Sequence, residues 1–376
     1  MQALEYSIKR FIKNEVVLCV AFVLAVISAF VVRPDREYIG YIDFRTLSIL
    51  LMLMITMAGL QRLSVFRQIG EFLVTRMSSI RGVVMILIML CFFSAMLITN
   101  DVALLTFVPF SVVTLSISGR KDLYIIVIVL ETIAANLGSM LTPLGNPQNL
   151  YLYSLSGMSL GEFVILMLPY SVVALVLLVI MGFIKVKSAP VTLKDKNEYE
   201  RTKRDKIMIG VYLFTFLVSI LVVARALEYI IGLIIVITIV LILDRRVLRT
   251  PDYSLLFTFI FLFIFIGNIK RIPALSDVLK QLVRINEVGV SIILSQFISN
   301  VPAAILCSGF TSEISKLIIG TNLGGLGTLI ASMASLISFK QYSYIEGSDS
   351  KKYMLVFTLA NILFLAFMIV TYLIFT

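Results

Sequence analysis

Two polar triplets interrupt long apolar stretches, Thr99-Asn100-Asp101 and Ser299-Asn300-Val301. Each is followed by a second break carrying Asn-x-Gly, Asn136-Leu137-Gly138 and Asn322-Leu323-Gly324. No nucleophile–base pair, metal cluster or cofactor loop accompanies them, which argues against an enzyme and for a site that holds small ligands. A backbone that leaves helical geometry inside lipid exposes N–H and C=O groups, and this is tolerated only where protein or a ligand satisfies them. Broken helices therefore mark sites. At each triplet a new helix begins, with Asn100 or Asp101 as N-cap in the first and Asn300 ahead of Val301-Pro302 in the second. The partial positive charge of such ends can hold an anion without lysine or arginine, while freed carbonyls and Asn or Ser oxygens can coordinate Na+. A single asparagine in an apolar helix is commonly a cap or an interhelical hydrogen bond. Four at matched positions point to a site.

The run Leu141 to Asn149 holds Pro143 and Pro147 and is expected to be unwound, because neither proline has an N–H to give. Its partner, Gly320 to Thr328, is expected to open its helix with glycines instead. It is not a phosphate-cradling loop, since it lacks the preceding strand that such a loop needs. Asp101 and Glu131 are the acids placed deepest. An intramembrane carboxylate is costly to hold and is a functional candidate by default, as a cation ligand or a proton carrier. The alternatives are that Asp101 only caps a helix and that Glu131 sits near an interface or pairs structurally. With no histidine in the chain, any proton relay must use such carboxylates.

Those residues need a membrane-embedded scaffold, and the composition demands one. Hydrophobic residues make up 60% of 376 positions and charged residues 14%, too apolar for a water-exposed surface. Stretches long enough to cross about 30 Å of hydrocarbon, roughly 20 helical residues, recur throughout. Full crossings are expected near 16–32, 45–60, 121–150, 162–184, 207–223, 228–243, 253–267, 316–339 and 353–375. The segments 82–118 and 288–312 are apolar but broken midway, and read as re-entrant hairpins. On this count Lys and Arg divide 23 to 9 in favour of the side of the N-terminus, placing it in the cytoplasm and the C-terminus outside. The net charge of +10 is thus topology, not nucleic-acid binding. Cys19, Cys91 and Cys307 lie singly in apolar segments and there is no histidine, so neither disulfides nor a transition-metal site is expected. The start, Met1 to Glu15, precedes a span without a cleavage pattern and reads as leading into a retained first helix.

The order of features repeats. Asp43-Phe44 opens a span as Asp252-Tyr253 does. Amphipathic stretches follow, Gln61 to Arg81 and Lys270 to Glu287, then a hairpin, then a broken helix. Residues 1–184 form a first repeat and 228–376 a second. The segment 185–227, a basic cytoplasmic loop from Lys185 to Lys206 and a linking helix, turns the second repeat upside down relative to the first. The fold class expected is an all-α polytopic membrane protein with two inverted repeats. The basic loop reads as a solvated tether, or as a lipid contact.

The segments ITNDVALLTFVPF and ETIAANLGSMLTPLGNPQNLYLY, with their partners SQFISNVPAAIL and GTNLGGLGTLI, resemble the ion transporter superfamily. That superfamily includes divalent anion:sodium symporters, citrate transporters, arsenite permeases and sodium/proton antiporters, and the resemblance covers nearly the whole chain. It implies a scaffold part and a mobile transport part, with elevator-like movement and the substrate held between the hairpin tips and the unwound helices. The implied substrate residues are Thr99, Asn100, Asp101, Thr142, Asn146, Ser299, Asn300 and Thr328. The implied sodium positions fall on Asn100 and Asp101 with Asn136, Gly138 and Ser139, and on Asn300 with Asn322, Gly324 and Gly325. Where the symporters have Ser-Asn-Thr, this chain has Asp101 and Val301 in third place, and its Asn-Asp pair looks more like the citrate and arsenite branches. The expectation is a secondary active transporter of a small anion, carboxylate-like, in the inner membrane, coupled to Na+ or H+ and without a cofactor. Alternatives are arsenite or antimonite efflux, sodium/proton exchange, or a channel or membrane sensor on the same fold. Expected partners are the anionic substrate and membrane lipid, not nucleic acid; the resemblance is compatible with a homodimer or a monomer.

Overall fold

The computed structural model describes residues 15–191 and 201–375. The charged start of the chain and the centre of the basic loop, 192–200, lie outside the described residues. Among the described residues all regular elements are helical, apart from one isolated bridge between Ser79 and Pro190. The helices are α1 (Val16–Val31), α2 (Glu37–Tyr41), α3 (Phe44–Arg62), α4 (Val65–Val74), α5 (Ile80–Ile98), α6 (Asn100–Ile117), α7 (Tyr124–Ser139), α8 (Pro147–Ser156) and α9 (Leu160–Lys185). After the basic loop come α10 (Lys203–Val223), α11 (Tyr229–Asp244), α12 (Tyr253–Lys270), α13 (Pro273–Ile285), α14 (Glu287–Ile298), α15 (Asn300–Ser308), α16 (Ile314–Leu323), α17 (Met333–Ser343) and α18 (Ser350–Phe375). This is a polytopic membrane protein.

The chain starts four of these helices with capping side chains at matching places, whereas the caps expected at Asn100 or Asp101 and at Asn300 are absent: Thr99 and Ser299 hold those positions and no side chain caps either helix. Asp43 caps α3 by accepting from the Thr46 N–H at 3.0 Å, and Asp252 caps α12 by accepting from the Leu255 N–H at 3.0 Å. Ser79 caps α5 on Gly82, and Asn286 caps α14 on Gly289. Each cap satisfies one of the amides a helix start leaves without an intrahelical partner. The short α4 and α13, one after each capped span, each carry an apolar and a polar face.

Packing sorts the helices into two groups. One gathers α1, α3, α10, α11 and α12; the other gathers α5 to α9 with α14 to α18. Helices α4 and α13 bridge them in sequence, and α3 meets α8 while α12 meets α15 across the boundary. At the centre of the second group lies α7, buried along almost its whole length, whereas α9 and α18 show bulky apolar side chains outward as lipid-facing helices must. Gly138 makes the central contact possible: a Cβ there would come within 2.0 Å of the Phe92 carbonyl oxygen on α5.

Among the described residues eight helices are long and apolar enough to cross a membrane, and α1, α11 and α14 are shorter apolar helices. Six of the nine expected crossings coincide with long helices, two with α1 and α11, and the one at 316–339 is divided between α16 and α17, of 10 and 11 residues. The arms of the first hairpin are themselves of spanning length, 19 and 18 residues, or about 28 and 27 Å at 1.5 Å per residue. Those of the second have 12 and 9 residues, about 18 and 14 Å. A pair of antiparallel arms returns the chain to the side it left in either case, so the loop-charge count is unaffected. The breaks are also shifted. The first lies at 140–146, because Pro147 takes the first position of α8, where its missing N–H costs nothing. The second begins at Gly324, with Gly320 still inside α16, and the broken helices run on to Ser156 and Ser343.

Candidate functional site

Each hairpin reverses on a single residue. Thr99 has φ 71° and ψ 148°, and Ser299 has φ 72° and ψ 155°. Side chains other than glycine seldom hold such a backbone, at a cost of about 1–3 kcal/mol, and two turns of the same strained geometry at matched positions define two equivalent tips. The first tip is pinned to the first break by the Asn100 N–H, which donates to the Gly145 carbonyl at 3.0 Å. The second lies against the second break: Ser299 Oγ reaches the Ala331 carbonyl at 3.5 Å, and a Cβ on Gly325 would sit 3.0 Å from Asn300 Nδ2.

The two breaks then meet each other through side chains. Asn136, at the end of α7, donates to Ser335 Oγ at 3.3 Å and accepts from Ser332 Oγ at 3.0 Å, both at the start of α17. Asn322, at the end of α16, donates to Asn149 Oδ1 and accepts from Asn146 Nδ2 at 3.2 Å, both at the start of α8. Asn146 corresponds to Ser332, Asn149 to Ser335 and Asn136 to Asn322, each pair 186 positions apart. One half's broken helix thus ends on the start of the other half's, and the converse holds too. A further pair, Thr142 and Thr328, has the same spacing of 186 but bonds within its own half. The Thr142 hydroxyl donates to the Met96 carbonyl, and the Thr328 hydroxyl to the Gln296 carbonyl at 3.0 Å, each acceptor standing four residues before its tip asparagine.

The network joins Asn100, Asn136, Ser139, Asn146 and Asn322 of the expected residues. Asn100 Nδ2 donates to Asn136 Oδ1 at 3.2 Å, and Asn146 Nδ2 also reaches Ser139 Oγ at 3.0 Å. All five side chains are buried. Around the second tip stand Ser299, Asn300, Gly324, Gly325 and Thr328, held by Gln296, whose amide donates to the Gly324 and Leu326 carbonyls and accepts from the Thr328 N–H. Gly138 serves packing. Glu131 stands apart: it is buried against the Ser111 hydroxyl on α6, its Oε2 has no hydrogen-bond partner, and no bond links it to the network. Asn149, Ser332, Ser335 and Gln296 were not among the expected site residues. The constant spacing of 186 that ties Asn136 to Asn322 leads to the first three; Gln296 has no polar counterpart, since Met96 occupies that place.

Thr99, Asp101 and Asn146 face a cavity of about 210 Å³ on the boundary between the two helix groups. Its walls include Leu53 of α3, Leu255 of α12 and the carboxyl of Asp252, and no lysine or arginine. Four helix starts border the network and its tips, those of α6, α8, α15 and α17. Asn146 caps α8 on the Asn149 N–H, whereas no side chain caps α15 or α17. Their first-turn amides are an anion-binding element of the broken-helix kind. Side-chain oxygens that could take a cation are turned on one another in this conformation, as Asn136 Oδ1 is on Asn100 and Ser332.

Paired hairpin tips and crossed broken helices inside a two-group bundle of membrane-spanning helices define a membrane transporter. A family profile described as "Citrate transporter" matches residues 7–315, and the chain belongs to that family. It is 31% identical over 325 residues to the inner membrane protein YbiR of Escherichia coli, covering 84% of each chain. It is 34% identical over 256 residues to an uncharacterized transporter, MJ0456, of Methanocaldococcus jannaschii, covering 68% of this chain and 69% of that one.

Proposed function

We propose that the chain is a secondary active transporter of a small anion, a carboxylate such as citrate or a dicarboxylate, coupled to Na+ or H+ in the inner membrane. The observation that carries this reading is the crossed network, which brings two tips and four helix starts to one place with no basic residue among them. Helix-start amides supply the attraction for the anion. The cavity supports coupling: an anion entering it meets Asp101 and Asp252 and no fixed positive charge. At close range like charges repel by several kcal/mol, and a cation or proton travelling with the anion would offset that repulsion. The same two carboxylates support sodium/proton exchange as a second reading.

The two packing groups support a division of labour in which α1, α3, α10, α11 and α12 form the scaffold and the hairpins and broken helices carry the site. Movement of one group past the other, with the repeats oppositely oriented in the membrane, would expose the site alternately to each side. The test is counterflow in proteoliposomes with labelled citrate and succinate, under an imposed Na+ or pH gradient. Saturable exchange that needs one gradient supports a coupled carrier. Conductance without saturation would mean a channel, and Na+-driven proton movement that ignores carboxylates would mean an exchanger. Asn100→Ala and Asn300→Ala are each expected to lower transport about tenfold or more, the equivalent of a lost polar contact of ~1–3 kcal/mol. Full transport by both variants would remove the tips from the site.

A further inference from the structure

Apart from the tips and broken helices, a groove of about 620 Å³ opens where the end of α3, the start of α10 and the end of α11 come together. Four arginines line it: Arg62 on α3, Arg204 on α10, and Arg245 and Arg246 directly after α11. Two aspartates also line it, and both are already engaged. Asp205 accepts from the Thr202 N–H and hydroxyl, and Asp244 accepts from Arg62 at 3.2 Å and from the Tyr212 hydroxyl at 3.1 Å. Arg204, Arg245 and Arg246 are exposed and make no ion pair or hydrogen bond among the described residues. Three guanidinium groups thus face one groove with no side-chain partner among the described residues.

What lies below the arginines identifies the occupant. Leu241 and Ile242 at the end of α11 are 55% and 74% exposed, and Ile207 on α10 is 58% exposed. Both helices are apolar and lipid-facing there, so the groove begins at hydrocarbon and ends at arginine. A molecule matching that order has acyl chains joined to an anionic phosphate. Guanidinium forks suit phosphate oxygens, and basic pockets between helix ends at the membrane surface suit anionic headgroups. A soluble phosphate would match the arginines and leave the apolar wall without a partner. We infer that this groove binds an anionic phospholipid by its phosphodiester, fastening the linking helix α10 to α3. The site is independent of the transport reading: it uses none of the tip or broken-helix residues.

Full-length protein, delipidated in neutral detergent, is titrated with phosphatidylglycerol, with phosphatidylcholine of the same chains and with inorganic phosphate, and the melting temperature is followed. Phosphatidylglycerol is expected to stabilise at a concentration at least about tenfold below phosphatidylcholine, as three surface arginines imply. Inorganic phosphate is expected to leave the melting temperature unchanged. The variant Arg204→Gln/Arg245→Gln/Arg246→Gln keeps the side-chain stems and is expected to lose the preference. A preference unchanged in that variant, equal stabilisation by phosphatidylcholine, or stabilisation by inorganic phosphate would each overturn the assignment. Should the triple variant fail to fold, the wild-type protein still decides the matter: 0.5 M NaCl is expected to abolish the preference, and its persistence there would count against headgroup charge.

Discussion

At the scale of the residue, the site depends on amides that serve as partners for one another. Asn136 and Asn322 each bind the opposite half's second helix: replacing Asn136 by alanine takes a partner from Ser332, Ser335 and the Asn100 amide, and replacing Asn322 takes one from Asn149 Oδ1, Asn146 keeping its bond to Ser139. Leaving a buried group unsatisfied costs about 1–3 kcal/mol, and both variants are expected to melt earlier and transport more slowly. Asn149→Ala loses the bond to Asn322 and also the amide's contacts to the Ser139, Met140 and Thr142 carbonyls, and is expected to melt at least as early as Asn322→Ala. Equal stability of wild type and Asn149→Ala would show that the crossed network is not held as described. Gln296 is the sharper case, holding two carbonyls and one N–H of the second break. Gln296→Leu is expected to lower the melting temperature more than Met96→Leu at the matching place, which thermal unfolding in detergent would read directly. Glu131 lies in a setting with no basic residue to balance a charge, and burial without a partner is prohibitive for an ion. Glu131→Gln, a neutral isostere, is expected to change stability by less than about 1 kcal/mol; if transport opens Glu131 to water so that its proton is released, the variant also flattens the pH profile of transport. An unaltered profile would exclude Glu131 from proton coupling.

At the scale of the element, close approach is written into glycines. Gly138 lets α7 touch the α5 backbone, and Gly324 lets α16 approach Ser295, where a Cβ would come within 2.6 Å of Oγ. Gly138→Ala should cost more than Gly324→Ala. In the first case the obstacle is the Phe92 backbone, down to 2.0 Å; in the second it is Ser295 Oγ and Cβ with the Gly320 carbonyl, at 2.6–2.9 Å, a lesser overlap. Protein yield and melting temperature for the two variants would check this order. Away from the spans, Arg271 after α12 bonds Asp35 at 2.7 Å and joins the α1–α2 connection to α12. That hydrogen bond holds the Asp35 carboxyl below the usual carboxylate range. Because the folded value is the lower one, the tie contributes above about pH 4 and is lost as pH falls through the folded value. The groups are exposed, so the effect is small. Asp35→Asn is expected to remove it, seen as a weaker acid dependence of melting.

At the scale of the whole molecule, orientation is open to direct measurement. The loop-charge imbalance predicts a cytoplasmic N-terminus and an external C-terminus. A C-terminal alkaline phosphatase fusion is expected to be active, and a C-terminal fluorescent protein fusion dark. The reverse pattern would invert the topology and place the α10–α11 arginine groove outside the cell. The two-group packing carries its own expectation. If the groups slide, a cross-link from α3 to α8 across their boundary should stop transport, while one from α3 to α10 within the scaffold should not.

Much of this was legible from the chain because lipid makes local patterns decisive. A backbone in hydrocarbon must satisfy itself within each helix, so span positions, the matching span starts at Asp43 and Asp252, and breaks near Asn100 and Asn300 could be read from composition and short motifs. The recurring order of local features was readable for the same reason. Three matters were decided only by the fold. Pro147 begins a helix and does not prolong the break, because its place relative to Asn146 depends on where the chain turns. The arms of the first hairpin reach spanning length. The asparagines of one half bond the helix start of the other, joining residues such as Asn149 and Asn322 that stand 173 positions apart. Hydrogen bonds between distant segments leave no periodicity in a sequence. They exist only once the helices have packed and brought their broken ends together.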